Sequence, residues 1–183
     1  LATNNFEVLV LGRKLPQSPK FGSLNYSYKR FSLWFNKGAL FYANLNIRLF
    51  FKLLFTKAAV FYANDLDTLP ANYLASKIKG VPLIYDSHEY FTEVPELVNR
   101  PSVQRIWHRI EGTIVPKLQH CITVTFQISE TYKKLYNVDF KVMRNFPIYI
   151  GHRIPEKENA ILYQGALNVG RGLEELIAAM PDV

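Results

Sequence analysis

The sequence predicts an α/β fold built on a parallel sheet flanked by helices, followed by the first βα unit of a second domain of the same kind. Two observations carry this expectation. Short apolar runs each close on polar residues, and the stretches between them repeat apolar side chains at three- and four-residue spacing, as one face of a helix requires. Strands alternating with helices of ten or more residues imply right-handed crossovers, and hence a parallel sheet covered on both faces. A third observation locates the function: ligands of such sheets sit beyond the carboxyl ends of the strands, where the polar clusters fall.

Taken in order, residues 6–11 followed by Gly12 read as a buried strand ending in a turn. Residues 13–30, with Pro16, Pro19, Gly22 and several serines, read as loop. Further strands are expected at 59–62, ending in Asn64 and Asp65, at 82–85, ending in Asp86-Ser87-His88-Glu89, at 121–124, ending in Thr125, and at 140–143, ending in Arg144 and Asn145. Helical spacing links Leu69, Tyr73, Leu74 and Ile78, then Val103, Ile106, Trp107, Ile110, Ile114 and Leu118, then Ile128, Tyr132, Leu135 and Tyr136. Pro155 and a run of charges mark 151–159 as a linker. It divides the chain into a domain at 1–150 and the start of another at 160–183, where a sixth strand at 160–163 feeds a glycine-rich turn and a helix carrying Leu173, Leu176, Ile177 and Met180.

Composition bounds the function. At 183 residues the chain holds one good-sized core plus a remnant. Its single cysteine, Cys121, closes no intrachain disulfide, and no Cys and His set has metal-binding spacing. The expectation is a reduced, cytoplasmic protein with no metal and no cofactor. The start lacks an initiator Met and a leader-like apolar stretch and reads as an N-terminal truncation. The net charge of +7 is scattered, with some concentration between Lys14 and Lys57. No recognition helix, zinc finger or RNP-type aromatic motif accompanies it, which argues against nucleic acid as a partner.

Several residues could carry chemistry. The turn with Gly165, Asn168, Gly170, Arg171 and Gly172 between a strand and a helix could present backbone N–H groups and a cation to phosphate, or its glycines could serve tight packing alone. It is not the G-x-G-x-x-G dinucleotide fingerprint. His88 beside Asp86 and Glu89 suits acid–base work near neutral pH, or is structural. Glu89, Glu93 and Glu96 would share one side of a short helix. Asp67 or Thr68 is expected to cap the helix with Pro70 in its first turn, leaving Asp65 to cap or to face the cleft. Asn145 could bind a ligand or close an Asx turn.

Residues 41–55 form an unusual helix, with Asn44, Arg48, Lys52 and Thr56 as a narrow polar stripe and apolar residues over the rest. It is too short and too interrupted to span a bilayer. It packs against the sheet or, with the aromatic and basic residues of 29–57, lies in a membrane surface.

The order of motifs, from Gly12-Arg13 through Asn64-Asp65-Leu66-Asp67-Thr68, Tyr85-Asp86-Ser87-His88-Glu89, Thr123-Val124 and Arg144-Asn145 to Tyr163-Gln164-Gly165 and Arg171-Gly172, resembles the group 1 glycosyltransferases. These form family 4 of the carbohydrate-enzyme grouping, of the GT-B type, and the likeness is greatest to bacterial members. The resemblance implies two Rossmann-like domains and a retaining transferase, membrane-associated at the cytoplasmic face, that moves a sugar from a nucleotide-sugar donor to a glycan or glycolipid acceptor in polysaccharide biosynthesis. It implies that His88 lies beside the transferred sugar and that Gly165 and Arg171 contact the donor diphosphate; Asn168 and Gly172 are further candidates for holding the donor, and Asp65, Glu89 and Asn145 are candidates for the acceptor side or the cleft. Ala166 departs from the arginine many members carry, and the first strand and the glutamate pair of the second domain are missing, so this portion alone is expected to be inactive. The rival readings are a nucleotide-sugar epimerase on the same architecture and a non-catalytic binding or membrane-docking module.

Overall fold

The computed structural model describes residues 5–19, 22–147, 151, 159–165, 167 and 171–182. The elements run β1 (Leu9–Arg13), β2 (Ser27–Phe31), α1 (Gly38–Leu54), β3 (Phe61–Asn64), α2 (Asp65–Lys79), β4 (Leu83–Ser87), α3 (Pro95–Val98), α4 (Pro101–Ile114), β5 (His120–Thr123), α5 (Phe126–Tyr136), β6 (Phe140–Val142) and α6 (Leu173–Ala179). The predicted α/β class holds: every strand pair is parallel, and helices flank the strands.

The sheet itself is divided. β3 to β6 form a four-stranded sheet in chain order, while β1 pairs only with β2 in a separate two-stranded sheet. In the larger sheet Ala63, Tyr85, Cys121 and Phe140 stand in register across the strands, and all four are buried. Each crossover steps sideways in the same direction, so right-handed connections put α2, α4 and α5 on one face. The burial pattern agrees, and it corrects the expectation of a sheet covered on both faces. Phe61, Leu83 and Thr123 are buried with the register line, whereas Tyr62, His120 and Lys141 on the opposite face are exposed and Ile84 and Ile122 only half-buried.

The helical layer has an aromatic centre. Trp107 of α4 is buried between Tyr42 of α1 and Phe91, with ring centroids 4.9 and 5.0 Å away in edge-to-face geometry. Tyr132 of α5 stacks on Phe140 at 4.2 Å. Helix ends follow local chemistry: the Thr125 hydroxyl accepts the Ile128 N–H at the start of α5, and Gly80 takes the left-handed conformation that stops α2.

Three local expectations are corrected. Residues 13–30 are not all loop, since Ser27–Phe31 is a strand that pairs with β1 from Leu9↔Ser27 to Arg13↔Phe31. Helix α2 begins at Asp65, so Pro70 lies inside it and neither Asp67 nor Thr68 is its cap. Residues 160–163 form no strand. Ile161 and Leu162 are largely exposed, and without a ladder partner among the described residues an apolar run has nothing to hold it extended.

Helix α1 turns its polar stripe inward. Asn44 is buried and its Oδ1 accepts the Trp34 N–H at 2.9 Å, the Arg48 guanidinium lies 4.4 Å from the Trp34 ring centroid, and Lys52 sits over Phe31. Leu45, Leu49 and Leu53 fill the adjoining inward face. Leu40, Ile47, Phe51 and Phe55 are left exposed along the outer side.

Candidate functional site

The carboxyl ends of β3 and β4 bring together the residues that the sequence singled out there. β3 runs directly into α2, and at the junction Asp65 adopts φ +55°, a left-handed conformation that aspartate tolerates better than most side chains. That turn carries its carboxylate across to the loop after β4. Asp65 Oδ1 accepts the His88 backbone N–H at 2.9 Å, and Oδ2 lies 3.5 Å from His88 Nδ1. On the other side of the ring, His88 Nε2 is 3.2 Å from Asp86 Oδ2. The same Asp86 oxygen accepts the Tyr62 hydroxyl. His88 is therefore clamped between two carboxylates, with about a third of its side chain open to solvent (37 %). The clamp fixes the ring plane.

The electrostatics around the clamp are strongly acidic. Burial, then the neighbouring Asp65, push the Asp67 carboxyl up to about 6 against hydrogen bonds from backbone N–H groups that favour its ionised form. Glu89 is raised by burial and by Asp65 and Glu96, with Arg171 and His88 opposing. Burial and the Asp86 carboxylate raise the Tyr62 hydroxyl, which therefore remains a donor.

Arg171 is thus within electrostatic reach of Glu89. The rest of the glycine-rich turn is only partly described. Gly172 is left-handed at φ +71° and opens α6, whose first turn carries Glu174 and Glu175. A Cβ on Gly165 would meet the Tyr163 hydroxyl at 2.7 Å. Asn168 lies outside the described residues. Asn145 is exposed just beyond β6, at the same end of the sheet. Glu93 and Glu96 do not share one helix with Glu89, because a 3-10 turn at Phe91–Glu93 and the separate α3 split the segment. Glu93 turns instead to His108 Nε2 at 3.3 Å.

Two participants escaped the sequence reading. Tyr62 looked like an ordinary strand aromatic, although period-two alternation after Phe61 already sets it on the opposite face. Asn46 offered no signal at all. Its side-chain amide reaches from α1 into α2, donating to Asp67 O at 2.8 Å and accepting from Ala71 N at 3.0 Å, and so supports the first turns of the helix that presents Asp65.

A hollow among the described residues lies elsewhere. It encloses about 340 Å³ between α1 and β1–β2, lined by Leu11, Lys29, Phe51, Lys52, Phe55 and Thr56. Chemistry rather than cavity size singles out the strand-end cluster. In comparisons with known proteins, no family model and no characterised protein matches this chain.

Proposed function

We propose that this chain belongs to a retaining glycosyltransferase that moves a sugar from a nucleotide-sugar donor to a glycan or lipid-linked acceptor. The observation that carries the reading is the clamped His88 at the ends of parallel strands, with Glu89 beside it and Arg171 within electrostatic reach of Glu89. A sugar is recognised through many hydroxyls and needs donors and acceptors held in fixed directions. An imidazole fixed from both sides by Asp65 and Asp86 meets that need. The departing nucleotide diphosphate gains negative charge as the sugar leaves, and Arg171 supplies the fixed cation that offsets it. On this reading Gly165, Asn168 and Gly172 hold the donor, while Asp65, Glu89 and Asn145 face the acceptor side.

The test measures transfer or hydrolysis of UDP-, GDP- and ADP-sugars by the full-length protein, with His88→Ala and Arg171→Ala alongside. One donor should be turned over, and each substitution should lower kcat by about a hundredfold or more, the scale of removing one preorganised donor. A protein that binds and hydrolyses no donor overturns the reading.

A second reading, membrane docking through 29–57, is favoured by a specific observation. The outward stripe of Leu40, Ile47, Phe51 and Phe55 joins exposed Trp34 and Phe35. From Val8 to Asn64 the chain has nine Lys and Arg residues and no Asp or Glu. Exposed apolar side chains on a segment rich in cations suit an anionic lipid surface. It is compatible with transfer to a lipid-linked acceptor at the cytoplasmic membrane face. Vesicles rich in phosphatidylglycerol should co-sediment with the full-length protein, and Phe51→Ser with Phe55→Ser should weaken this at least tenfold. Equal binding by the double variant refutes it.

A further inference from the structure

Beneath the His88 loop lies a buried chain of oxygen atoms that the reading above does not use. Glu111 of α4 is fully buried. Its Oε1 lies 3.0 Å from the Tyr132 hydroxyl, and its Oε2 accepts the Tyr136 hydroxyl at 2.7 Å. The Tyr132 hydroxyl is 3.1 Å from Ser87 Oγ, and Ser87 Oγ donates to the Glu89 carbonyl at 2.8 Å. Three consecutive contacts therefore link Glu111 to the backbone of the residue after His88.

Counting protons distinguishes the states of Glu111. The serine and Tyr132 hydroxyls bring two protons for three contacts. With Glu111 ionised, one of the three contacts holds no proton: Glu111 with Tyr132, Tyr132 with Ser87, or Ser87 with the Glu89 carbonyl. With Glu111 protonated, the carboxyl donates to Tyr132, Tyr132 to Ser87, and Ser87 to Glu89, while Tyr136 still donates to the free carboxyl oxygen. The geometry points to Glu111 as a protonated positioning residue that locks the Ser87–Glu89 loop, and with it His88, through Tyr132 and Ser87. Its bearing on sugar transfer rests on the reading above; the lock itself does not.

The surroundings agree. The faces packed on Glu111 present Tyr132 and Tyr136 from α5, Tyr85 from β4, Tyr90 and Glu93 from the loop after β4, and His108 from its own helix. Burial raises Glu111, and Glu93 adds to this, while the two tyrosine hydrogen bonds and His108 oppose. Tyr85 has a buried hydroxyl beside Ser87 and Tyr132 without a well-formed hydrogen bond among the described residues. Its proton enters none of the three contacts.

The experiment follows the Glu111 side-chain carboxyl carbon by NMR between pH 4 and 9 in the full-length protein, together with the protection of the His88 amide. That amide reports the loop directly through its bond to Asp65. Glu111→Gln keeps one donor and one acceptor, so its loop should stay locked. In the wild type the carbon should titrate well above the ordinary glutamate range, and His88 protection should fall about tenfold as it does so. Protection in the Glu111→Gln variant should hold steady, apart from changes that His88, Asp65 and Asp86 impose on both proteins. Ser87→Ala should show low protection at every pH. A carbon titrating in the ordinary range, or identical profiles in wild type and Glu111→Gln, overturns the proposal. Neither readout depends on sugar transfer.

Discussion

Asn46→Ala tests whether a side chain completes the backbone of the helix that presents the site. Pro70 has no N–H for the Leu66 carbonyl, and its ring crowds that carbonyl, so α2 is opened at its second turn. At the next rung the Asn46 amide accepts from Ala71 N at 3.0 Å and donates to Asp67 O at 2.8 Å. Ala71 is 1 % exposed, so water does not readily replace the lost acceptor. Two backbone groups at about 1–3 kcal/mol each, less about 0.6 kcal/mol for the better helix propensity of alanine, give a net loss of about 1.4–5.4 kcal/mol. The third Asn46 bond, to Tyr42 O, adds little because that carbonyl already belongs to the α1 ladder. Urea unfolding should show a midpoint lowered by about 0.7–2.7 M at unchanged slope, taking a slope of about 2 kcal/mol/M. Asn46→Asp keeps the acceptor but sets a carboxylate against Asp67 O, so it should be worse at pH 7 than at pH 4.5. An Asn46→Ala variant within about 0.5 kcal/mol of wild type would mean that α2 closes its own ladder past the proline.

The remaining predictions concern charge and backbone. Asp67 has a folded-state value of about 6, above its ordinary 3.8, so the folded protein holds the proton more tightly than the unfolded chain. This contribution is full below about pH 4 and is lost as pH rises through 6. Asp67→Asn should therefore stabilise the protein more at pH 7 than at pH 4.5, by thermal unfolding at both values, and an equal effect at the two pH values counts against a buried carboxyl. Gly80 sits at φ +65° with nothing within 4 Å of a Cβ, so Gly80→Ala should cost about 1–2 kcal/mol from backbone strain alone, and Gly80→Asn should recover part of it.

The sheet was legible because buried parallel strands advertise themselves: the runs at 59–62, 82–85, 121–124 and 140–143 are apolar, and β3 to β6 fall on them within two residues. β2 was not, because Ser27–Phe31 carries two adjacent cations, Lys29 and Arg30, in place of an apolar and polar alternation. Its Arg30 spends its guanidinium on Pro19 O and the Tyr28 ring, a use that composition does not disclose. Helix α1 was legible as a helix but not in its orientation. A narrow polar stripe reads as the solvent side, yet Asn44 and Arg48 are engaged by Trp34 and Lys52 lies over Phe31, all residues before the helix. The site was legible as a cluster at strand ends. The pairing of Asp65 with His88 was not, since it depends on one positive φ at a non-glycine residue, which pattern reading assigns to glycine or a cap.

The charges at the site divide the work of the proposed reaction. Asp65, Asp67, Asp86 and Glu89 gather where α2 begins, so the positive end of that helix already faces carboxylates. A diphosphate placed there would meet like charge, whereas a neutral sugar would meet acceptors and a fixed imidazole. The phosphates must then be held from the other side, where Arg171 approaches Glu89. Glu174 and Glu175 stand in the first turn of α6, which leaves the Arg171 guanidinium rather than the helix end as the source of positive field. On the proposed reading, Arg171→Ala should therefore weaken donor binding and turnover together. His88→Ala should lower turnover with donor binding nearly kept, because its partner is the sugar and not the diphosphate. Equal loss of donor affinity in both variants would break that division even if transfer itself were established.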